Sequence, residues 1–191
     1  MIKAVIFDCF GVLYPQAVGQ FFERYKDLLG DDSTALDQLN LQIDLGKITR
    51  AEFFAGLAEK IGMPADKIQS EIDRELVADQ QLVEFIKKMK KTYKTGMLSN
   101  AGKEEIAIVY RDRLDGLFDS ITVSYEAGIV KPSSEIYLIC AQRLGVDPTE
   151  CLFIDDSVIN IDAAQKLGMK TILYATYGML PEELTTLINR K

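Results

Sequence analysis

Apolar positions along the chain follow two rhythms. Five short apolar runs, at 5–7, 96–98, 121–123, 152–154 and 171–173, are bounded by polar or turn residues and read as buried strands. Beyond Thr92 they alternate with helical spacing: Ile106, Val109 and Tyr110; Ile136, Ile139, Cys140 and Leu144; Ile161, Ala164 and Leu167. That alternation predicts βαβ units and a parallel sheet covered on both faces. Gly145 and Gly168 mark helix ends, and Pro181 with Glu182 and Glu183 opens a last helix.

The interval 15–80 breaks the rhythm. It is far longer than the dozen or so residues a crossover needs. Its apolar positions keep helical spacing throughout: Phe21, Phe22, Tyr25, Leu28 and Leu29; Leu36, Leu39 and Ile43; Phe53, Phe54, Leu57 and Ile61; Ile68, Ile72 and Leu76. Thr49-Arg50-Ala51-Glu52 is a capping box, placing a hydroxyl and a carboxylate on orphan helix N–H groups. The fold class expected is α/β, a Rossmann-like parallel sheet with helices on both faces and an inserted small all-helical cap. Residues 1–14 and 81–191 form the core and 15–80 the cap. Helical spacing assigns Phe21, Phe22, Tyr25, Phe53 and Phe54 to the interior of the cap rather than to a ligand.

Composition narrows the chemistry. The 191 residues, 48% of them apolar, suffice for a substantial core. Twenty-two Lys and Arg against 29 Asp and Glu leave a net charge of −7, which argues against a nucleic-acid partner. The basic run Lys87, Lys88, Lys90 and Lys91 reads as a solvated helix end opposing the dipole. There is no histidine, so imidazole triads and the usual His-containing zinc sites are excluded. Cys9, Cys140 and Cys151 are odd in number and widely spaced, which fits a reducing compartment. No apolar run approaches the ~20 residues of a membrane span. A cytoplasmic protein with no membrane partner is expected, and the pattern favours neither a monomer nor a homodimer.

Two strands end in acids: Asp8 after the first, and Asp155 with Asp156 after the fourth. Ligands of open α/β sheets bind beyond the carboxyl ends of strands, where strand order reverses. At an effective dielectric of ~20, two like charges ~4 Å apart repel by about 4 kcal/mol, so three converging carboxylates must protonate or hold a cation. Oxygen ligands favour Mg²⁺. Ser99-Asn100-Ala101-Gly102 ends the second strand just before a helix, where a hydroxyl and turn amides suit an anion. Lys131-Pro132, closed by Ser133-Ser134-Glu135, follows the third strand, and a lysine there suits charge on a phosphoryl group. Each of these residues alone has an ordinary reading, as a turn former, a helix cap or a surface lysine.

Together they resemble the haloacid dehalogenase (HAD) superfamily, most of whose members are phosphatases. The resemblance runs through FDCFGVL at 7–13, LSNA at 98–101, KP at 131–132 and FIDDSVINIDAA at 153–164, in the family's order and spacing. The segment LGKITRAEFFAGLAEKIG at 45–62 is similar to the helical cap of the glucose-1-phosphate-phosphatase-like and epoxide-hydrolase N-terminal branches. The resemblance implies that Asp8 is a nucleophile forming an aspartyl-phosphate on a small phosphorylated metabolite. It implies that Ser99 and the Asn100 backbone hold phosphate oxygens, and that Lys131 offsets charge. It further implies that Mg²⁺ binds Asp8, Asp156 and the Phe10 carbonyl, with Asp155 holding a metal-bound water or Lys131, and Asn160 behind them.

One position departs. The family's phosphatases usually carry a second Asp two residues after the nucleophile as general acid and base, and here Phe10 stands there. General acid–base catalysis is typically worth about 10²–10⁴-fold. Leaving groups that need little protonation, such as sugar 1-phosphates or acyl phosphates, are therefore expected. Two alternatives accompany this reading. One is a non-catalytic phosphate-binding regulatory protein. The other is a metal-independent 2-haloacid dehalogenase, a branch with an aromatic at that position and a halide-binding arginine, for which Arg24, Arg50 and Arg74 are unassigned candidates. Tyr14, Pro15 and Gln16, following the first motif, are candidates to face the cleft.

Overall fold

The computed structural model describes residues 1–29 and 33–179, with Glu182, Leu184 and Thr186 beyond them. Five parallel strands, β1 (Ala4–Phe7), β2 (Lys94–Ser99), β3 (Ser120–Val123), β4 (Cys151–Asp155) and β5 (Lys170–Leu173), make one sheet in the order β3-β2-β1-β4-β5. Every predicted apolar run lies inside one of them. The chain winds outward from central β1 to β3, then returns to β4 on the other side of β1. The carboxyl ends of β1 and β4 therefore flank the point where winding reverses.

Between β1 and β2 the chain forms α1 (Ala17–Arg24), α2 (Lys26–Leu29), α3 (Ser33–Asp44), α4 (Arg50–Ile61), α5 (Ala65–Glu75) and α6 (Gln80–Met89). The helical spacing over 21–29 is split at Tyr25, whose hydroxyl donates to Glu71 of α5 at 3.0 Å. The capping box is formed: Thr49 Oγ1 accepts the Glu52 N–H at 3.2 Å, and the Glu52 carboxylate accepts the Thr49 N–H at 2.7 Å. Where the chain returns toward the sheet, the Asp79 N–H donates to the Leu13 carbonyl at 2.9 Å, and the Asp79 carboxylate caps α6. The two passages between helical segment and sheet thus lie side by side.

After β2 come α7 (Lys103–Arg111), α8 (Ser124–Ala127), α9 (Ser134–Leu144) and α10 (Val158–Lys166). Pleating assigns the two faces of the sheet. Val5 and Phe7, with Met97, Leu152 and Ile154, pack with Leu82 and Ile86 of α6 and Ile106 and Val109 of α7. Ala4 and Ile6, with Leu98, Cys151 and Phe153, turn to the other face against Ile136 and Cys140 of α9 and Ile161 and Ala164 of α10. Strands covered on both sides need apolar residues at every position, hence the unbroken runs. Gly145 and Gly168 follow α9 and α10 at φ of +65° and +81°, as helix stops require. In the basic run Lys87 pairs with Glu84 and Lys90 with Asp119. Of the predicted last helix, opened by Pro181 with Glu182 and Glu183, Glu182, Leu184 and Thr186 are described and helical, while Pro181 and Glu183 lie outside the described residues. Among the described residues no helix is long and apolar enough to cross a membrane.

Candidate active site

The register aligns Phe7 with Ile154, and the Asp8 N–H continues the ladder to the Ile154 carbonyl at 2.9 Å. The acids following these residues, Asp8 and Asp155, consequently emerge side by side. Lys131 joins them, its Nζ 2.7 Å from Asp8 Oδ1 and 2.7 Å from Asp155 Oδ2. All three are nearly closed to solvent, at 5%, 4% and 0% exposure. The Asn100 side chain clamps the Lys131 backbone, accepting its N–H at 2.7 Å and donating to its carbonyl at 3.0 Å. The Lys131–Pro132 peptide is cis.

Asp155 is saturated with donors. Beyond Lys131, the Ser157 N–H at 2.8 Å and Asn160 Nδ2 at 3.0 Å reach its Oδ1. Of the two tasks expected of Asp155, the structure displays the hold on Lys131, and Asn160 stands behind both. Asp156 is half-buried, and its carboxylate lies over Gly11, where a Cβ would fall 2.1 Å from Oδ2. Gly11 also holds φ at +101°, so two constraints exclude a side chain there.

Burial pushes the Asp8 carboxyl up, while the Lys131 ammonium beside it pulls it down. Burial also works against the Lys131 ammonium, yet Asp8 and Asp155 overcome it and hold lysine above its ordinary value. Asp156 is raised by burial and then by Asp155. One oxygen from each of Asp8, Asp155 and Asp156 lies within 4.8 Å of the others. Three carboxylates against one lysine leave two negative charges, on hard oxygen donors of the type Mg²⁺ takes. The donor set therefore fits a divalent cation.

The Phe10 carbonyl, an expected fourth ligand, accepts Gln16 Nε2 at 3.2 Å, and the Phe10 ring packs on Tyr14. Tyr14 is fully buried with its hydroxyl on Asp112, and Pro15 is buried as well; Gln16 is the member of that trio that lines the cleft. Ser99 is buried with only a long 3.4 Å contact to the Asn100 carbonyl. Neither Ser99 nor Asn100 caps α7, because Gly102 takes that position. The ordinary helix-cap reading of both is thereby removed.

These groups form one wall of a cleft of about 450 Å³, within the range of small-molecule sites. Facing them are Asp44 of α3, Arg50, Phe53 and Phe54 of α4, Phe22 of α1 and Glu105 of α7. The aromatic assignment needs correcting: Phe53 and Phe54 are buried in the apolar interior as expected, but with Phe22 they also line the cleft. Of the three candidate arginines only Arg50 lines it. Its guanidinium is occupied by Asp73 and by Glu105 at 3.3 Å, and Arg24 lies on Glu71 and Glu75. Sequence reading missed Asp44 and Glu105, which occupy ordinary polar positions of amphipathic helices.

A family model described as haloacid dehalogenase-like hydrolase matches residues 2–168. A D-ribitol-5-phosphate phosphatase of Bacteroides thetaiotaomicron is 25% identical across 99% of this chain and 100% of its own. An (S)-2-haloacid dehalogenase of Burkholderia cepacia is 28% identical across 95% of this chain and 86% of its own. Among solved structures, a HAD family enzyme from Bacteroides thetaiotaomicron in complex with magnesium and inorganic phosphate superposes with a TM-score of 0.72 at 28% identity. That superposition covers 91% of this chain and 94% of that one. With a parallel sheet, the acids at the ends of β1 and β4 and a family match spanning most of its length, the chain belongs to the haloacid dehalogenase-like hydrolases.

Proposed function

We propose that the protein is a Mg²⁺-dependent phosphatase of small phosphorylated metabolites, with Asp8 as nucleophile. The observation that carries this reading is the convergence of Asp8, Asp155 and Asp156 with, among the described residues, only Lys131 to neutralise them. Mg²⁺ would be held by Asp8, Asp156 and the Phe10 carbonyl, and when bound it supplies positive charge against the phosphoryl oxygens. Lys131 keeps one Asp8 oxygen fixed and, with Asp155 and Asn160 behind it, keeps its ammonium aimed at the reacting group. Ser99 and the Asn100 backbone hold the phosphate oxygens. Asp8 attacks phosphorus and water then releases inorganic phosphate, so one hard displacement becomes two easier ones. Phosphoryl transfer rests chiefly on such positioning and charge neutralisation.

The phosphatase and Mg²⁺–phosphate relatives support this reading. The dehalogenase alternative requires an arginine free for halide, and Arg50 is occupied by Asp73 and Glu105. The test is phosphate release from a panel of sugar, sugar-alcohol, acyl and aryl phosphates with and without Mg²⁺, beside halide release from 2-chloropropionate. Mg²⁺-dependent phosphate release, lost in Asp8→Asn, is expected. Halide release indifferent to chelator would favour the dehalogenase, and tight phosphate binding without turnover the regulatory protein.

A further inference from the structure

The phosphatase reading leaves one role empty, since Phe10 has no group to protonate the leaving oxygen. Six side chains lining the cleft are ionisable: Asp8, Asp44, Arg50, Glu105, Lys131 and Asp156. Asp8 is the nucleophile and Lys131 is locked between two carboxylates. Asp156 belongs to the cation site. Arg50 and Glu105 pair with each other. Asp44 remains, and among the described residues its carboxylate has no hydrogen-bond or ion-pair partner.

Its backbone, by contrast, is tightly placed. Asp44 ends α3, and its carbonyl accepts Ser124 Oγ at 2.5 Å. The same Ser124 oxygen accepts the N–H of Ala101, directly after the phosphate-binding Ser99-Asn100 pair, at 2.9 Å. One residue earlier, the Ile43 carbonyl presses so near Gly102 that a Cβ there would stand 2.8 Å from it. The end of α3 is therefore seated on the loop expected to hold phosphate, with an unengaged carboxyl in the same cleft.

We propose that Asp44 is the proton donor to the leaving group, taking the part for which Phe10 has no chemistry; this rests on the phosphatase reading above. As an Asp8 oxygen bonds to phosphorus and the bond from phosphorus to the ester oxygen breaks, the Asp44 carboxylic acid gives its proton to that oxygen. The alcohol leaves neutral and Asp44 becomes a carboxylate. That carboxylate then takes a proton from the water attacking phosphorus, the bond from phosphorus to Asp8 breaks, and inorganic phosphate departs with Asp44 again an acid.

The surroundings suit the task. Burial, and then the negative charge of Glu105, push Asp44 up to about 7 against the pull of Lys131. The facing charged and titratable groups are Glu105 from α7, Lys131 from the loop after α8, and Arg50 from α4, which rests on Glu105. On α8, Tyr125 gives its hydroxyl to Glu126 at 3.0 Å. A donor near pH 7 is well matched to general acid work at neutral pH.

The experiment compares kcat/KM for an alkyl phosphate, whose leaving oxygen needs a proton, with that for 2,4-dinitrophenyl phosphate, whose leaving oxygen does not. Asp44→Asn should lower the alkyl value by about 10²-fold or more, and at least about tenfold more than the dinitrophenyl value. The wild-type alkyl profile should fall above about pH 7, and Asp44→Asn should lack that fall. Asp44→Glu should recover part of the loss. Glu105→Gln, which leaves Asp44 in place, should move the fall to lower pH. Equal losses on both substrates, or a falling limb that persists in Asp44→Asn or stays fixed in Glu105→Gln, overturns the role of Asp44. Wild-type protein that hydrolyses neither ester with Mg²⁺ overturns the phosphatase reading itself.

Discussion

The two walls of the cleft are built on opposite principles. On the sheet side Lys131 satisfies Asp8 and Asp155 at 2.7 Å each, and Ser157, Asn160 and Asn100 fix the partners in turn. On the helical side Asp44 carries no hydrogen-bond or ion-pair partner among the described residues, Arg50 and Glu105 answer each other, and Phe22, Phe53 and Phe54 supply apolar surface. A saturated network holds its charges in one geometry. An unsaturated carboxyl in a partly apolar wall is free to exchange its proton. The contrast teaches that rigidity and proton exchange are assigned to different elements rather than to one motif.

Breaking the saturated wall should cost most. Lys131→Met leaves Asp8 and Asp155 facing each other without their cation, and removing one partner of a buried pair costs about 3–5 kcal/mol. Urea denaturation without Mg²⁺ should show that loss. The unsaturated wall should respond in the opposite sense. The folded-state value of Asp44 lies above its unfolded one, so its contribution is present at pH below ~4 and lost as pH rises toward about 7. Asp44→Asn should therefore stabilise the fold at pH 8, by at most about 4 kcal/mol at 1.36 kcal/mol per unit, and leave it unaltered near pH 3. Parallel denaturation series at the two pH values read this directly. The smallest effect is expected at the N-terminal end of α4, where Thr49 stands outside the cleft lining and Thr49→Ala removes the helix cap at a cost of about 1 kcal/mol.

The two walls also differed in how far the sequence disclosed them. Asp8, Asp155 and Asp156 follow apolar strands, and a strand end is visible in one dimension because the apolar run stops there. Parallel register then brings Asp8 beside Asp155 without further information. Lys131, read alone, could as well be a surface lysine, and the resemblance to a known motif tipped the balance. Asp44 and Glu105 meet through the docking of α3 on the start of α7, a contact between segments sixty residues apart. On its own helix each is one more polar residue. Phe53 and Phe54 satisfied the rule for interior aromatics and still reached the cleft, because the cleft wall is the edge of that same interior. Gly102 was read as part of a turn, but its need for a bare Cα comes from the Ile43 carbonyl and the Glu105 carboxylate beside it.

Asp8, at the end of β1 and held by Lys131, is proposed to carry the phosphoryl group during turnover. Acid quenching of the protein during Mg²⁺-supported hydrolysis, followed by mass spectrometry of the peptide containing Asp8, tests it. One acid-stable, hydroxylamine-labile phosphoryl group on Asp8 is expected, absent with Asp8→Asn, whose hydrolysis falls to background. Phosphate release that continues undiminished in Asp8→Asn, with no phosphoryl group on the wild-type peptide, would contradict it.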